Sequence, residues 1–282
     1  MKYVLLILGF TIAFFGYALA ASIVGLSWTK GNLDRLNSFG KADVAQLLTD
    51  VTGFALHADC GCVKPQDIGE FTWTDLQGDG SLELLATLDV NGRQFFNKLI
   101  IFRRDASGKV TAEELEGWMI TDLHDVSRDL SGNGQDELII PTVLVSFSTA
   151  DTVTWPAVYR LEKGKYAEAS RDFPGYYDTD VLPRLDREIQ SAQSEKPAES
   201  AMQDQLAALV MVKSKILRVL GRQPTAGLQQ AHEWMNSKDP KLLLDAAVTL
   251  KDISGHEEES SAAGAAYRRA LCESHPGMAT CQ

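Results

Sequence analysis

Asp75-Leu-Gln-Gly-Asp-Gly-Ser-Leu-Glu-Leu-Leu and, 54 residues further on, Asp129-Leu-Ser-Gly-Asn-Gly-Gln-Asp-Glu-Leu-Ile are two copies of one loop. Each copy has oxygen-bearing side chains at loop positions 1, 3, 5 and 9, the alternation that a hard cation requires. At position 6 stands Gly80 or Gly134, where a tight turn needs a residue free of Cβ hindrance. A period of 54 lies near the upper end of those that mark repeat arrays.

The copies agree outside the loop as well. Phe71-Thr-Trp-Thr precedes the first and Trp118-Met-Ile-Thr the second, both apolar/polar alternations of strand type. After the first loop, Leu82 to Val90 reads as a strand, Asn91-Gly92 as a type I′ hairpin, Phe95 to Arg103 as the return strand, and Ala106-Ser107-Gly108 as a turn into a fourth. The second copy repeats this plan with Glu137 to Phe147, a turn at Ser148 to Asp151, Thr152 to Leu161, a turn at Lys163-Gly164, and Tyr166 to Ala169. Each unit is expected to be four short antiparallel strands with the acidic loop between its first and second.

Over roughly residues 69–178 the chain resembles FG-GAP/VCBS-type repeats, whose motif is Asp-x-[Asp/Asn]-Gly-Asp-Gly-x-x-[Asp/Glu] followed by an apolar strand. The resemblance implies units like β-propeller blades, with loops that hold structural calcium. Carried over by position, the ligands would be Asp75, Gln77, Asp79 and Glu83 by side chain and Ser81 by carbonyl. In the second loop they would be Asp129, Ser131, Asn133 and Glu137, with the Gln135 carbonyl. Both copies depart from the family at position 3 and the second again at position 5, leaving three carboxylates in the first loop and two in the second. Calcium affinity falls with ligand charge, so the first loop is the stronger expected site. Without a metal, the same residues are turn formers whose side chains bond their own backbone.

The chain of 282 residues has a globular composition and a net charge of −11, which argues against nucleic-acid backbones and anionic membrane surfaces as partners. Met1-Lys2, the apolar run Tyr3 to Tyr17 and Ala18-Leu19-Ala20 form a secretory signal peptide pattern over 1–21. The uncharged stretch continues to Thr29, so an uncleaved membrane anchor is the rival; either exports the body, to the periplasm or beyond. Four cysteines, Cys60, Cys62, Cys272 and Cys281, favour disulfides in such a compartment. Cys272 and Cys281 could close a local loop, whereas a bond across one residue between Cys60 and Cys62 is awkward if the segment is extended. The alternative is a soft-metal or redox site of Cys60, Cys62 and His57.

A helix is expected over Lys41 to Ala58, with Val44, Leu47, Leu48, Val51 and Leu56 mostly on one face. After Phe173-Pro-Gly-Tyr176-Tyr177, read as a turn-rich exit, residues 182–282 turn helical. Pro183 to Ile189 starts a helix, and Met202, Leu206, Leu209, Val210, Ile216, Leu217 and Leu220 form an apolar stripe ended by Gly221. Leu228 to Met235, a helix opened by Asp239 and Pro240, and a last helix through Tyr267 and Ala270 follow. The fold expected is therefore α+β, two four-stranded blade-like units and a helical C-terminal region. Two such units cannot close a propeller ring, so helices or self-association must cover the exposed sheet faces.

Catalytic signatures are missing: the sequence has no G-x-S-x-G elbow, no H-E-x-x-H and no phosphate-binding loop. The expectation is an exported, non-catalytic binding or scaffolding module with a protein or cell-envelope ligand and calcium as structural support. Two rivals remain, a metal-assisted hydrolase using the acidic loops and His124, which has Asp122, Asp125 and Asp129 nearby, and a thiol-based metal handler at His57, Cys60 and Cys62.

Overall fold

Apolar/polar alternation around the acidic loops becomes strand in the computed structural model, which describes residues 23–89, 97–117, 120, 122–146, 152–194, 200–236, 243, 246–247 and 257–274. The expected Asn91-Gly92 hairpin, the 148–151 turn, the Asp239-Pro240 helix start, Cys281 and the signal pattern of 1–21 lie outside those residues. Strands β1 (Ile68–Thr74), β2 (Glu83–Asp89), β3 (Asn97–Arg104) and β4 (Val110–Glu116) form one sheet in that order. A second sheet runs in the order β5 (Ser127–Arg128), β6 (Glu137–Ser146), β7 (Thr152–Glu162) and β8 (Lys165–Glu168). With several helices besides, the fold is α+β with two four-stranded antiparallel sheets. The register repeats too: Thr74 pairs with Glu83 and Arg128 with Glu137, so the residue before each loop faces loop position 9.

The strand before the second loop is not where alternation places it. It is Ser127–Arg128, directly abutting Asp129, while Ile120 sits outside any strand and Trp118, Met119 and Thr121 lie outside the described residues. Ile120 is held by a side chain instead: its N–H donates to Asn97 Oδ1 at 3.0 Å, and Asn97 Nδ2 donates to its carbonyl at 2.9 Å. A buried amide thus satisfies both backbone groups of Ile120 that a ladder would otherwise have to pair.

Strand β2 is buried on both faces, which its near-continuous apolar run Leu84-Leu85-Ala86 reflects. Leu84, Ala86 and Leu88, with Ile100 and Phe102, face Trp28, Leu36, Val44, Leu47 and Leu48. Leu85, Leu99 and Ile101 instead join Leu138, Ile140 and Tyr166 of the second sheet in a shared core. The N-terminal segment therefore packs on the outer face of the first sheet. Trp28 packs edge-on to Trp73 at 5.0 Å, and the Trp73 indole N–H donates to the Leu36 carbonyl at 3.2 Å. Helix α1 (Lys41–Thr52) stops short of the expected Ala58, because Gly53 adopts φ +65° and its N–H donates to the Thr49 carbonyl, a left-handed C-cap.

Two compact units divide the chain: Met1–Thr142 with Pro156–Glu168, and Val143–Trp155 with Ala169–Gln282. In the second, the expected turn-rich exit is helical from Pro174, with a one-turn π-helix at Tyr177–Val181 leading into α2 (Leu182–Ser194). Trp155 stacks on the fully buried Tyr177 at 6.5 Å, and the Lys215 ammonium lies 5.1 Å from the Trp155 ring. Helix α3 (Ser200–Val219) ends at Gly221, φ +71°, and is followed by α4 (Thr225–Met235) and α5 (Glu257–Ser274). Ala207, Val210, Ala231, Trp234 and Ala246 pack together, so part of the apolar stripe serves burial. Among the described residues no helix is long and apolar enough to cross a membrane.

Candidate functional site

The two acidic loops share one hydrogen-bond plan. In the first, Asp75 accepts the N–H groups of Asp79 and Gly80, both at 3.1 Å, and Asp79 Oδ1 accepts the Ser81 N–H at 2.8 Å. In the second, Asp129 accepts those of Asn133 and Gly134 at 3.1 and 2.9 Å, and Asn133 Oδ1 accepts the Gln135 N–H at 2.8 Å. Position 9 reaches back across each loop. Glu83 accepts the Leu76 N–H at 2.8 Å and the Gln77 Nε2 at 2.7 Å. Glu137 accepts the Leu130 N–H at 2.8 Å, the Ser131 N–H at 3.2 Å and the Ser131 hydroxyl at 2.6 Å. Both glutamates are buried, at 2% and 1% exposure.

Position 3, where the sequence departs from the repeat motif, acquires a reason in this arrangement. An Asp there would set a second negative charge beside the buried position-9 carboxylate, which a cation would have to neutralise. Gln77 and Ser131 bring a donor instead, and the donor satisfies Glu83 or Glu137 without any ion. In the first loop a cation of the protein's own is also present, Lys30 Nζ at 2.9 Å from Asp75 Oδ2. Nothing in the sequence around Lys30 signals that role.

Charge responds to these surroundings. Burial acts to raise the Asp75 carboxyl, but Lys30 and the N–H groups of Gly80 and Asp79 together hold it below the ordinary carboxylate value. The Gly134 N–H, with further backbone donors, lowers Asp129. Glu83 goes the other way: burial pushes it up, against the pull of Gln77 and Leu76.

The loops are also seated on each other. The Asp136 N–H donates to the Leu76 carbonyl at 2.7 Å, and Gly78 lies so close that a Cβ on it would run into the Gly134 carbonyl oxygen. A second tie holds the same two sheets together. The Arg103 guanidinium bonds Glu113 at 2.5 Å and the Gly164 carbonyl at 3.0 Å and lies over the Tyr166 ring, while the Tyr166 N–H donates to Glu113 at 2.7 Å. Sequence reading misses both ties, since each joins residues more than 50 positions apart.

As arranged, the carboxylates of both loops accept hydrogen bonds from their own loop. Each Glu83 oxygen accepts one donor, Leu76 N–H on Oε2 and Gln77 Nε2 on Oε1, and the Lys30 ammonium already sits on Asp75 Oδ2. The N–H groups of Ser81 and Gln135, whose carbonyls are the expected ligands, donate to Asp79 and Asn133. Among the described residues no three His, Cys, Asp or Glu side chains converge as a metal site. His124 lies exposed, with its backbone N–H on Asp122 Oδ1 at 2.8 Å.

The cysteine cluster forms a disulfide, as its composition suggests, but through the pairing across one residue that an extended segment makes awkward. Cys60 and Cys62 are bonded, with Cα atoms 5.2 Å apart. The segment is a turn and not extended: Gly61 takes φ +59°, which brings the flanking Cα atoms within the bridging range. In that state neither sulfur is a thiolate ligand, and the His57 ring bonds Asp67 Oδ2 at 2.8 Å instead. Cys272 is also disulfide-bonded. In the helical unit, an open cavity of about 280 Å³ is lined by Ile189, Val210, Lys213, Ser214, Leu217 and Glu233 among others, a gap in the apolar stripe.

Compared with family models, curated proteins and solved structures, the chain matches none.

Proposed function

We propose that the protein is an exported, non-catalytic binding or scaffolding module built from two FG-GAP/VCBS-type units, with the acidic loops as the joint between them. The seat of the first loop on the second carries this reading, through the Asp136 to Leu76 hydrogen bond and the contact of Gly78 with Gly134. Carboxylates that accept two or three donors of their own loop brace a turn. General acid or base work needs a group within reach of a substrate proton.

Export is supported by the signal pattern that ends at Ala20 and by the cysteine usage. Ile23 and Trp28 are buried in the core, and the Trp28 indole N–H donates to the Ile23 carbonyl at 3.0 Å. That favours a boundary before Ile23 over an anchor running to residue 29, which would pull both side chains out of the core. The ligand expected of such a module is a protein or another envelope component, with self-association as a further use of its surface.

Calcium is the second reading, favoured by the carboxylates of Asp75, Asp79 and Glu83. Thermal unfolding of the purified protein across a calcium titration separates the two. A joint closed by its own donors gives a melting temperature that calcium leaves unchanged. A calcium-supported joint gives a rise with ligand concentration that Asp79→Ala removes and Asn133→Ala largely spares. Hydrolysis of phosphoester, ester or peptide substrates with added metal that disappears in His124→Ala would overturn the non-catalytic reading.

A further inference from the structure

Cys60, Gly61 and Cys62 form the tip of a turn that is fixed without its sulfurs. The Gly61 and Cys60 N–H groups donate to the His57 carbonyl at 2.8 and 3.3 Å, and the Leu56 and His57 N–H groups donate to the Cys62 carbonyl at 3.1 and 3.2 Å. Below the tip, Asp67 Oδ2 holds the His57 ring at 2.8 Å and the Lys64 N–H at 2.7 Å. Backbone and side-chain bonds therefore already set the geometry that places the two cysteines. The disulfide encloses a single residue, the loop size at which a cross-link restricts the unfolded chain least. Cys60 and Gly61 are exposed and Cys62 is half-buried. As a brace this bond does little, but as a chemical group it is accessible.

We propose that the Cys60–Cys62 disulfide is a thiol–disulfide exchange site that oxidises dithiols, namely reduced cysteine pairs of other proteins. This adds to the scaffolding reading and does not rest on it. A substrate thiolate attacks the exposed Cys60 sulfur, a substrate-to-Cys60 disulfide forms, and the Cys60–Cys62 bond breaks with Cys62 leaving as a thiolate that takes up a proton. The substrate's second thiolate then attacks its own sulfur in the mixed disulfide. A substrate disulfide forms, and Cys60 leaves as a thiolate and is protonated in turn. Two electrons and two protons pass from the substrate dithiol to the Cys60/Cys62 pair. Because the turn is held by its backbone, the freed sulfurs stay opposite each other and the body of the protein does not respond to the change. An exposed disulfide is the kind that exchanges, whereas buried structural ones resist the glutathione pool.

The test equilibrates the full-length protein in reduced and oxidised glutathione mixtures, alkylates free thiols and locates them by mass. Cys60 and Cys62 are expected to become alkylatable together at millimolar reduced glutathione, while Cys272 stays bonded and the melting temperature is unchanged. Run in reverse, the free Cys60 thiolate of Cys62→Ser should attack the disulfide of an oxidised two-cysteine peptide, which releases the peptide's other sulfur as a thiolate and leaves a mixed disulfide at Cys60, at least tenfold faster than Cys62 of Cys60→Ser does, in line with the greater exposure of Cys60. Three results would overturn the proposal. They are a Cys60–Cys62 bond that outlasts the Cys272 bond, a melting temperature that falls by several degrees on reduction of the wild-type pair, and equal trapping rates in two variants that melt like the parent.

Discussion

The first acidic loop and the second are near copies in sequence and in hydrogen bonding, yet they live in different surroundings. Asp75 is 9% exposed and carries Lys30, while Asp129 is exposed and relies on backbone donors. Gly78 is wedged against Gly134, but its equivalent Gly132 has open space around it. The difference teaches that the motif encodes the turn and the neighbours decide what the turn is for. One loop is inserted and the other receives it.

The largest expected effect tests that asymmetry directly. Gly78 and Gly132 adopt nearly the same left-handed conformation, φ +65° and +68°, so an alanine at either meets the same backbone strain of about 1–2 kcal/mol. Only Gly78→Ala also collides with the Gly134 carbonyl, and displacing the second loop adds about 1–3 kcal/mol. Urea unfolding should therefore rank Gly78→Ala well below Gly132→Ala. Equal losses would mean that the loops are not seated on each other.

Much of this was legible beforehand and some was not, for physical reasons. The repeat of Asp, Gly and Glu at fixed spacing marks two equivalent turns, and apolar runs, alternation and turn signals together mark seven of the eight strands among the described residues, because these are local properties. Alternation failed at β5, a two-residue strand too short to carry a pattern; of the alternation in Trp118-Met-Ile-Thr only Ile120 is among the described residues, and it lies outside any strand. The helical stripe of α3 was readable from spacing, whereas the cavity beside Ser214 was not, since it depends on how three helices meet. The loops' acceptors could be listed from sequence, but their partners could not. Lys30 is 45 positions from Asp75, and the donors of Gln77 and Ser131 become meaningful only once Glu83 and Glu137 fold back over them. Disulfide use of Cys60 and Cys62 is legible from composition and compartment, but their pairing with each other is not, because it depends on the left-handed turn at Gly61.

A smaller effect separates Glu83 from the position-1 aspartates by pH, since Asp75 and Asp129 are both lowered. Burial raises Glu83, so the folded state binds its proton more tightly than the unfolded chain does. Stability from this group is greatest below the unfolded value near 4.5 and falls as pH rises toward the folded value, by at most about 1.4 kcal/mol per unit. Asp129 has the opposite sign: lowered in the fold, it contributes above 3.8 and is lost as pH falls through its folded value. The windows lie on either side of about pH 4, so the Glu83→Gln difference curve should show the decline above that point removed. Asp129→Asn should instead flatten the acid limb. A Glu83→Gln curve parallel to the parent's from pH 4 to 7 would show that Glu83 is not held in the low-dielectric seat assigned to it.

The smallest effect on stability is the sharpest on chemistry. The Lys30 side chain is 69% exposed, and ion pairs of that kind contribute about 0–1 kcal/mol, less in high salt. Lys30→Met should accordingly shift the unfolding free energy by under about 1 kcal/mol, a shift that disappears in molar salt. Its consequence for ions is larger in kind. Lys30 lies where a cation would have to approach Asp75, so removing it leaves the carboxylates of Asp75, Asp79 and Glu83 without that competing charge. Calorimetric titration should then find tighter calcium binding in Lys30→Met than in the parent, and no change in Lys64→Met, which removes the same charge from a lysine paired with Asp59 outside both loops. If Lys30→Met binds calcium no better, the lysine is an ordinary surface partner, and the difference between the loops reduces to packing at Gly78 alone.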